Sequence, residues 1–596
     1  MKDERNRFFS FIRQPSSLIP PTNHGGFMRR DLILITLIAT IIALISVRPF
    51  AGSWNDGSRL ATVESLVDRG TFAIDDSIFV RVPPENPPFD ADDLRQTGTL
   101  DRLRINGSYY SDKSPVPAVL LAGAYAIVQR VTGLSAAKSP HMFCWLMNLL
   151  GGGLPFVIAV VAVHLLSLRV GLAHRHRWLL TLSFAVATIA PAYARFVNNH
   201  IMLLAVCTLL TLLMFRWPSV RGFGTSEGVP LETGERGCVS APRTGSVNEL
   251  QPSTLTGPVL GALTQPRSPQ LTLVRRSGLP IPRPQHRSAC HPSPPAKPEG
   301  EGPKTDAARQ WRWLVLGCLA GLGYTIDLGL GPMLLAAVGG WVAWHCRREW
   351  TLRPLAIFSV AVLPWLALHH AVNYAVAGTL GPANANPAYF DWPGCPFDMR
   401  TMTGRWQHAN AGAFVLYALD LLVGQRGFLG HNLMLYVAVL ALPMILRRCR
   451  IERPAVLASL AWCALTFLAY AATSNNYSGL CISIRWFVPM LAPGFLLLAL
   501  LLRERPDLAR DVALLSAFSF IGAMAGWWYG PWSRPPLTLY WVVTSGGLIS
   551  WGLFRLQARR KNGRARQLHH IAPLFLPSKI CGPQPNTSNF AISPQE

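Results

Sequence analysis

Apolar residues fall in long runs along this chain, divided by short arginine-bearing segments and by a few longer polar ones. Runs of about 16 to 25 nearly uncharged residues are long enough to cross a hydrocarbon layer as helices. In that solvent each backbone amide has to be satisfied inside its own segment, so a helical bundle is the expected architecture. The pattern predicts spans over 31–48, 142–167, 178–194, 200–216, 312–326, 330–345, 354–372, 433–446, 455–472, 486–503, 511–527 and 536–555. The expected fold class is an all-α integral membrane protein with about 12 transmembrane helices, or 13 if one further run is counted. That run, "PVPAVLLAGAYAIVQRV" at 115–131, is short, and as a span it would put every later basic loop outside. It is therefore read as a re-entrant helix or one lying on the outer surface. A second surface helix is expected at 58–67, where Leu60, Val63 and Val67 share one face and Asp56 and Arg59 stand at the start.

Charge changes the picture in one respect. A net charge of +24 would suit nucleic acid, but Lys and Arg sit between apolar runs and in a basic tail from Arg555 to Arg566. That is the distribution of membrane topology with positive loops in the cytoplasm. With the N-terminus inside, the inner loops hold Arg169, Arg175 and Arg177; Arg347, Arg348 and Arg353; Arg447, Arg448, Arg450 and Arg453; and Arg503, Arg505 and Arg510. Residues 49–114, on the other side, hold eleven Asp and Glu against seven Lys and Arg. The eleven cysteines show no CxxC pair or metal-ligand spacing.

The resulting organisation has a basic cytoplasmic N-terminus (1–30) and a first membrane module (31–216) with a long outer loop at 49–141. Residues 217–310 hold fifteen prolines in 94 positions and no sustained periodicity, and they read as a disordered cytoplasmic insertion. A second membrane module (311–555) with an outer loop at 373–432 precedes a cytoplasmic tail at 556–596.

The unusual polar stretches sort to the outer side. "NDGSRLATVE" brings Asp56, Arg59 and Glu64, and "YYSDKSP" brings Tyr110, Asp112 and Lys113. "ARFVNNH" brings Asn198, Asn199 and His200, "YTIDLGLGP" brings Asp327, and "HHAVNY" brings His370 and Asn373. "GQRGFLGHN" and "SNNYSGLCISIRWFVP" add His431, Tyr477 and Arg485. Ionisable groups at membrane depth are costly and mark sites or pathways, so a shared outward-facing cavity is expected. The lysine supplies a mobile point charge and the arginines a guanidinium fork, both suited to phosphate. A carboxylate such as Asp56, with Glu64 and His200 as further catalytic candidates, would take a proton from an incoming hydroxyl. Arg59, Lys113 and Arg485 would bind and stabilise a departing phosphate. Tyr110, Asp112, Asn198, Asn199, Asp327, His370, Asn373, His431 and Tyr477 are the candidate substrate-binding groups.

These motifs resemble the C-type membrane glycosyltransferase superfamily, and in particular bacterial members grouped with protein mannosyltransferases and the aminoarabinose transferases of lipid A. The resemblance rests on the acid after the first helix in "WNDGSR", on "SDKSPVPAVLLAGAY" with Lys113 in the lysine position, on "RFVNNH", and on "SIRWFVPMLAP". Ser114 stands where a proline is usual, Asn55 where many relatives have a second acid, and His200 where relatives often have an acid. Covering roughly residues 30–500 without the insertion, the resemblance implies a multi-pass protein of the inner (cytoplasmic) membrane with an extracytoplasmic active site. It also implies a polyprenyl-phosphate sugar donor and inverting transfer to a lipid, glycan or protein acceptor. A divalent cation is open on this reading, and nucleic acid is not a partner. The alternative is a secondary transporter or lipid-linked-substrate flippase. Twelve spans suit it, but transporter sites lie near the midplane with access from both sides.

Overall fold

The computed structural model describes residues 24–215, 303–398, 404–532 and 538–575. The expectations for the first residues of the N-terminus, for 217–302 of the insertion and for the tail beyond 575 lie outside the described residues. The helices are α1 (His24–Ser46), α2 (Trp54–Asp68), α3 (Pro115–Thr132), α4 (Pro140–Asn148), α5 (Leu154–Arg169), α6 (His174–Val186) and α7 (Asn199–Met214). After the insertion come α8 (Pro303–Ile326), α9 (Gly331–Glu349), α10 (Arg353–Ala377), α11 (Ala411–Val423), α12 (Leu435–Arg448), α13 (Arg453–Thr473), α14 (Leu491–Glu504), α15 (Ala509–Tyr529) and α16 (Tyr540–Phe575).

Each of the twelve predicted runs falls on helix. Among the described residues six helical stretches are long and apolar enough to cross a membrane: 115–132, 140–169, 353–377, 453–473, 485–504 and 506–529. The first of them is α3, the run read above as surface-lying. A pattern of apolar residues was expected only up to the ends of the spans, and it missed α11 inside the outer loop.

The all-α expectation needs correction in the first loop. Arg102–Ile105 (β1) and Ser108–Ser111 (β2) pair as an antiparallel hairpin. Its cause is local: Asn106 and Gly107 take φ of 50° and 91°, the left-handed pair that a two-residue hairpin turn requires. The hairpin aims the segment that follows, residues 111–115, back toward α2.

The two largest buried clusters among the described residues carry most of the packing. The larger joins α5, α6, α7, α8, α9, α13 and α14 around side chains such as Phe156, Phe184, Leu316 and Phe495. The smaller lies beneath the first loop, where Leu60 and Val63 of α2 meet Phe79, Phe89, Tyr125, Phe143 and Val197. Asn148 ties the loop to the bundle: its amide donates to the carbonyls of Arg48 (2.7 Å) and Phe50 (3.1 Å), and its oxygen accepts from Val197 N (2.9 Å). Helices α8 and α10 approach closely because Gly317 and Gly321, spaced four apart, face the partner. A Cβ at Gly317 would strike the carbonyl of Phe358, and one at Gly321 would lie 2.8 Å from Trp365. This crossing fixes the end of α8, and with it Asp327, relative to Asn373 on α10.

Candidate active site

Helix α2 starts at an N-cap, Ser53, whose hydroxyl oxygen accepts from Asn55 N (3.1 Å). Three residues on, Asp56 completes a capping arrangement: its Oδ2 accepts from Gly52 N (2.6 Å) and its Oδ1 from the Ser53 hydroxyl. The carboxylate is fully buried. Burial pushes its pKa up to about 6, against the lowering effect of the Ser53 and Gly52 hydrogen bonds and of Arg59. Its carboxylate thus turns to the helix start, not toward the cavity as the sequence pattern suggested. Glu64 likewise points away: it pairs with Arg69 (3.0 Å) and accepts from Ser77 Oγ (2.5 Å) and Ile78 N (3.1 Å), tying α2 to the following loop.

The neighbouring face of α2 opens on a small, half-open cavity with a volume of about 40 Å³. Arg59 and Thr62 line it with Tyr110, Asp112 and Lys113 from the end of the hairpin and with Asn373 from α10. Leu103, Leu328 and Val376 give it an apolar side. Lys113 Nζ bridges two carboxylates, Oδ2 of Asp101 at 2.7 Å and Oδ2 of Asp112 at 2.6 Å. Asp101 is a residue of this candidate site that sequence reasoning missed. Nothing marks it in "TGTLDRL", and only the fold of the hairpin brings it to the lysine. Oδ1 of Asp112 is buried without a hydrogen-bond partner. Burial pushes this carboxyl above its ordinary range, with Lys113 opposing and Asp101 adding to the rise. Arg59 donates to the carbonyl and side-chain oxygens of Asn55, and burial brings its pKa down to about 10.

A second layer of charge lies next to this wall. Asn198 caps α7 by accepting from His200 N (2.8 Å), which fixes the two residues after it. Asn199 donates its amide to Oδ2 of Asp327, and Nδ1 of His200 stands 3.3 Å from the same oxygen. Oδ1 of Asp327 accepts from Gly329 N (2.9 Å) and Leu330 N (3.1 Å), so the carboxylate caps the approach to α9. Tyr470 stacks on Trp486 with centroids 4.1 Å apart, beside Arg485 in the sequence. The Arg485 guanidinium lies over Trp532 (5.6 Å). Arg59, Asp112 and Lys113 thus stand together on the cavity wall with Asp101 behind them, while His200 and Asp327 form a second pair next to Leu328 of the lining.

Three predicted residues lie apart from it. His370 accepts or donates between the Tyr324 hydroxyl (3.2 Å) and the Leu380 carbonyl (2.8 Å). His431 bonds the Gln425 carbonyl (3.2 Å) and lines a different pocket with Tyr540. Tyr477 donates to Asp420 (3.0 Å). Among the described residues no group of three or more His, Cys, Asp or Glu side chains is arranged to hold a metal ion. Between Asp101 and Asp112 the ammonium of Lys113 takes the central position.

No family model and no curated protein matches this sequence. Solved structures similar in fold include ArnT from Cupriavidus metallidurans bound to undecaprenyl phosphate. At 14% identity and a TM-score of 0.40, the match covers 92% of this chain and 81% of that one. The apo state of the same protein gives the same identity and TM-score over 92% and 80%. The Archaeoglobus fulgidus oligosaccharyltransferase in the apo form matches at 10% identity and a TM-score of 0.38, over 88% of this chain and 55% of that one. At such TM-scores the likeness is one of loose outline, and the functional reading rests on this chain's own residues.

Proposed function

We propose that this chain is a membrane glycosyltransferase that moves a sugar from a polyprenyl-phosphate donor to a hydroxyl of a lipid, glycan or protein acceptor. One observation carries the reading: Arg59 of α2 and Lys113 of the segment after β2, 54 positions apart in the sequence, come together on the wall of a cavity that is polar on one side and apolar on the other. A lipid phosphate needs both environments. On this reading the donor phosphate faces the cations, which stabilise the charge that builds up as the sugar leaves. Tyr110, Asn373 and the free oxygen of Asp112 meet hydroxyl groups of the sugar or acceptor. Attack from the opposite side inverts the anomeric carbon.

The proposal includes twelve spans with the N-terminus inside, which puts the cavity on the extracytoplasmic side of the cytoplasmic membrane. Asp56 enters as the sequence's candidate for the base; in the folded chain it is first a capping residue of the helix that presents Arg59. The test uses the purified full chain in lipid, a panel of radiolabelled polyprenyl-phosphate sugars and a membrane-lipid extract as acceptor. Transfer of label by the wild type supports the reading. Donors neither bound nor consumed would refute it.

A further inference from the structure

Helix α11, inside the long loop that follows α10, carries an apolar face that stays exposed in the folded chain. Val415, Leu416, Leu419 and Val423 fall at i, i+1, i+4 and i+8, and their exposures are 50%, 69%, 52% and 42%. No Lys, Arg or Glu interrupts the helix. Its one acid, Asp420, accepts from the Tyr477 hydroxyl (3.0 Å).

The opposite face is pinned. Tyr417 and Leu421 are buried, and the Tyr417 hydroxyl meets Ser474 Oγ at 3.2 Å. Ahead of the helix, Gly404 N donates to the carbonyl of Thr473 (2.9 Å) and His408 Nε2 to that of Ala471 (2.6 Å). Behind it, Phe428 N and Leu429 N donate to the carbonyls of Leu421 (3.0 Å) and Leu422 (2.9 Å). These bonds hold α11 against the last turn of α13, and it cannot roll its apolar face inward without breaking them.

What covers the face follows from where it sits. Helix α13 is long and apolar enough to cross a membrane, and its Leu465 and Leu468 are 49% and 53% exposed, so the same chemistry runs toward the end at which α11 docks. With 13 residues α11 is about 20 Å long, too short to cross about 30 Å of hydrocarbon. Its first turn is capped by Asn410, which accepts from Ala413 N (2.9 Å). Just before that cap Arg405 and Trp406 are exposed, the Trp406 ring at 58% and beside Phe414. A tryptophan and an arginine next to an aliphatic helix face are groups that settle at the level of lipid headgroups.

We propose that α11 is a lipid contact. The face of Val415, Leu416, Leu419 and Val423 rests in the boundary between headgroups and acyl chains, in the leaflet where α13 ends, with Trp406 at its edge. The partner is the bilayer surface, and this contact is independent of the chemistry proposed above. Through its other face α11 joins that boundary to the segment carrying Arg485: Tyr477 N donates to the Tyr417 hydroxyl (3.4 Å), and Arg485 N to Ser478 Oγ (3.1 Å).

The experiment places an environment-sensitive fluorescent amino acid singly at Val415, Leu416, Leu468 or Glu85 of the full chain, in nanodiscs of phosphatidylcholine and phosphatidylglycerol. Leu468 on α13 is the lipid reference, and the exposed Glu85 of the first loop is the water reference. With α11 on lipid, both of its probes emit at shorter wavelength than the Glu85 probe. They are quenched by a nitroxide carried high on the acyl chain, as the Leu468 probe is, and resist iodide several-fold better than the Glu85 probe. Two adjacent positions keep the result readable where one probe disturbs the helix. Iodide quenching as strong as at Glu85, with none by the nitroxide lipid, overturns the contact. Shielding from both quenchers overturns it as well, because protein, from this chain or a second copy, then covers the face.

Discussion

Lys113 is the residue on which the cavity wall most depends, because one ammonium neutralises two carboxylates. Removing one partner of a buried pair leaves an uncompensated charge, which costs more than the pair itself contributed. Lys113→Met is expected to weaken undecaprenyl phosphate binding by about tenfold or more, the worth of one charge-assisted contact. Direct binding measurements check it, and Lys113→Arg is not expected to restore the loss because a planar fork does not fit between Asp101 and Asp112 as a point charge does. Asp56 makes a prediction of another kind. Its folded pKa of about 6 lies above the ordinary carboxyl value of 3.8, so the folded state binds the proton more tightly. The stabilisation is complete below pH 4 and is lost as pH rises through about 6, on the order of 3 kcal/mol for a shift of this size. The thermal midpoint of wild type should therefore decline relative to that of Asp56→Asn between about pH 4 and pH 7. A constant difference between the two across that range would refute the shift. At this scale the sequence was partly legible. Arg59, Asp112 and Lys113 declare themselves by type and place. Asp101 does not, since an acid in a polar loop has no signature until the hairpin turns it, and the inward rotation of Asp56 is set by two hydrogen bonds four and three residues back.

Among the elements, periodicity located all twelve apolar runs, because each is long and buries its own backbone. What it missed are short or mixed elements. The hairpin is signalled by "NG" between alternating residues, a two-residue cue in a loop of about 90 residues. Helix α11 is only 13 residues, below the length that marks a span. The crossing of α8 on α10 gives the sharpest test. Gly317 has the Phe358 carbonyl against it, whereas Gly340 on α9 has nothing within 4 Å of an added Cβ. Gly317→Leu is expected to push the two helices apart, at a cost of about 1 to 3 kcal/mol or more, and to displace Asp327 from the side of the cavity that Asn373 lines. Gly340→Leu should leave both the thermal midpoint and undecaprenyl phosphate binding near those of wild type. Equal effects from the two variants would mean that the close approach is not what positions the site.

For the whole molecule the insertion is the natural question. Helices α7 and α8 flank it, and they are joined across the gap: Arg312 Nε donates to the carbonyl of Leu213 (2.9 Å) and its Nη2 to that of Met214 (3.3 Å). Residues 10 positions into α8 thus already meet the end of α7, independently of the chain between them. Closing a loop costs free energy that grows only with the logarithm of its length, about 0.6 kcal/mol per doubling. Replacing 219–302 with a short Gly/Ser linker therefore relieves the chain of some closure cost and leaves the Arg312 bonds between α7 and α8 in place. The expected result is a protein that still inserts, has a thermal midpoint no lower than wild type, and binds undecaprenyl phosphate with unchanged affinity. Sugar transfer by the shortened chain should match that of the full one. If binding or transfer collapses while the midpoint holds, the insertion takes part in the reaction, and the cavity wall of Arg59, Asp112 and Lys113 is not a sufficient site.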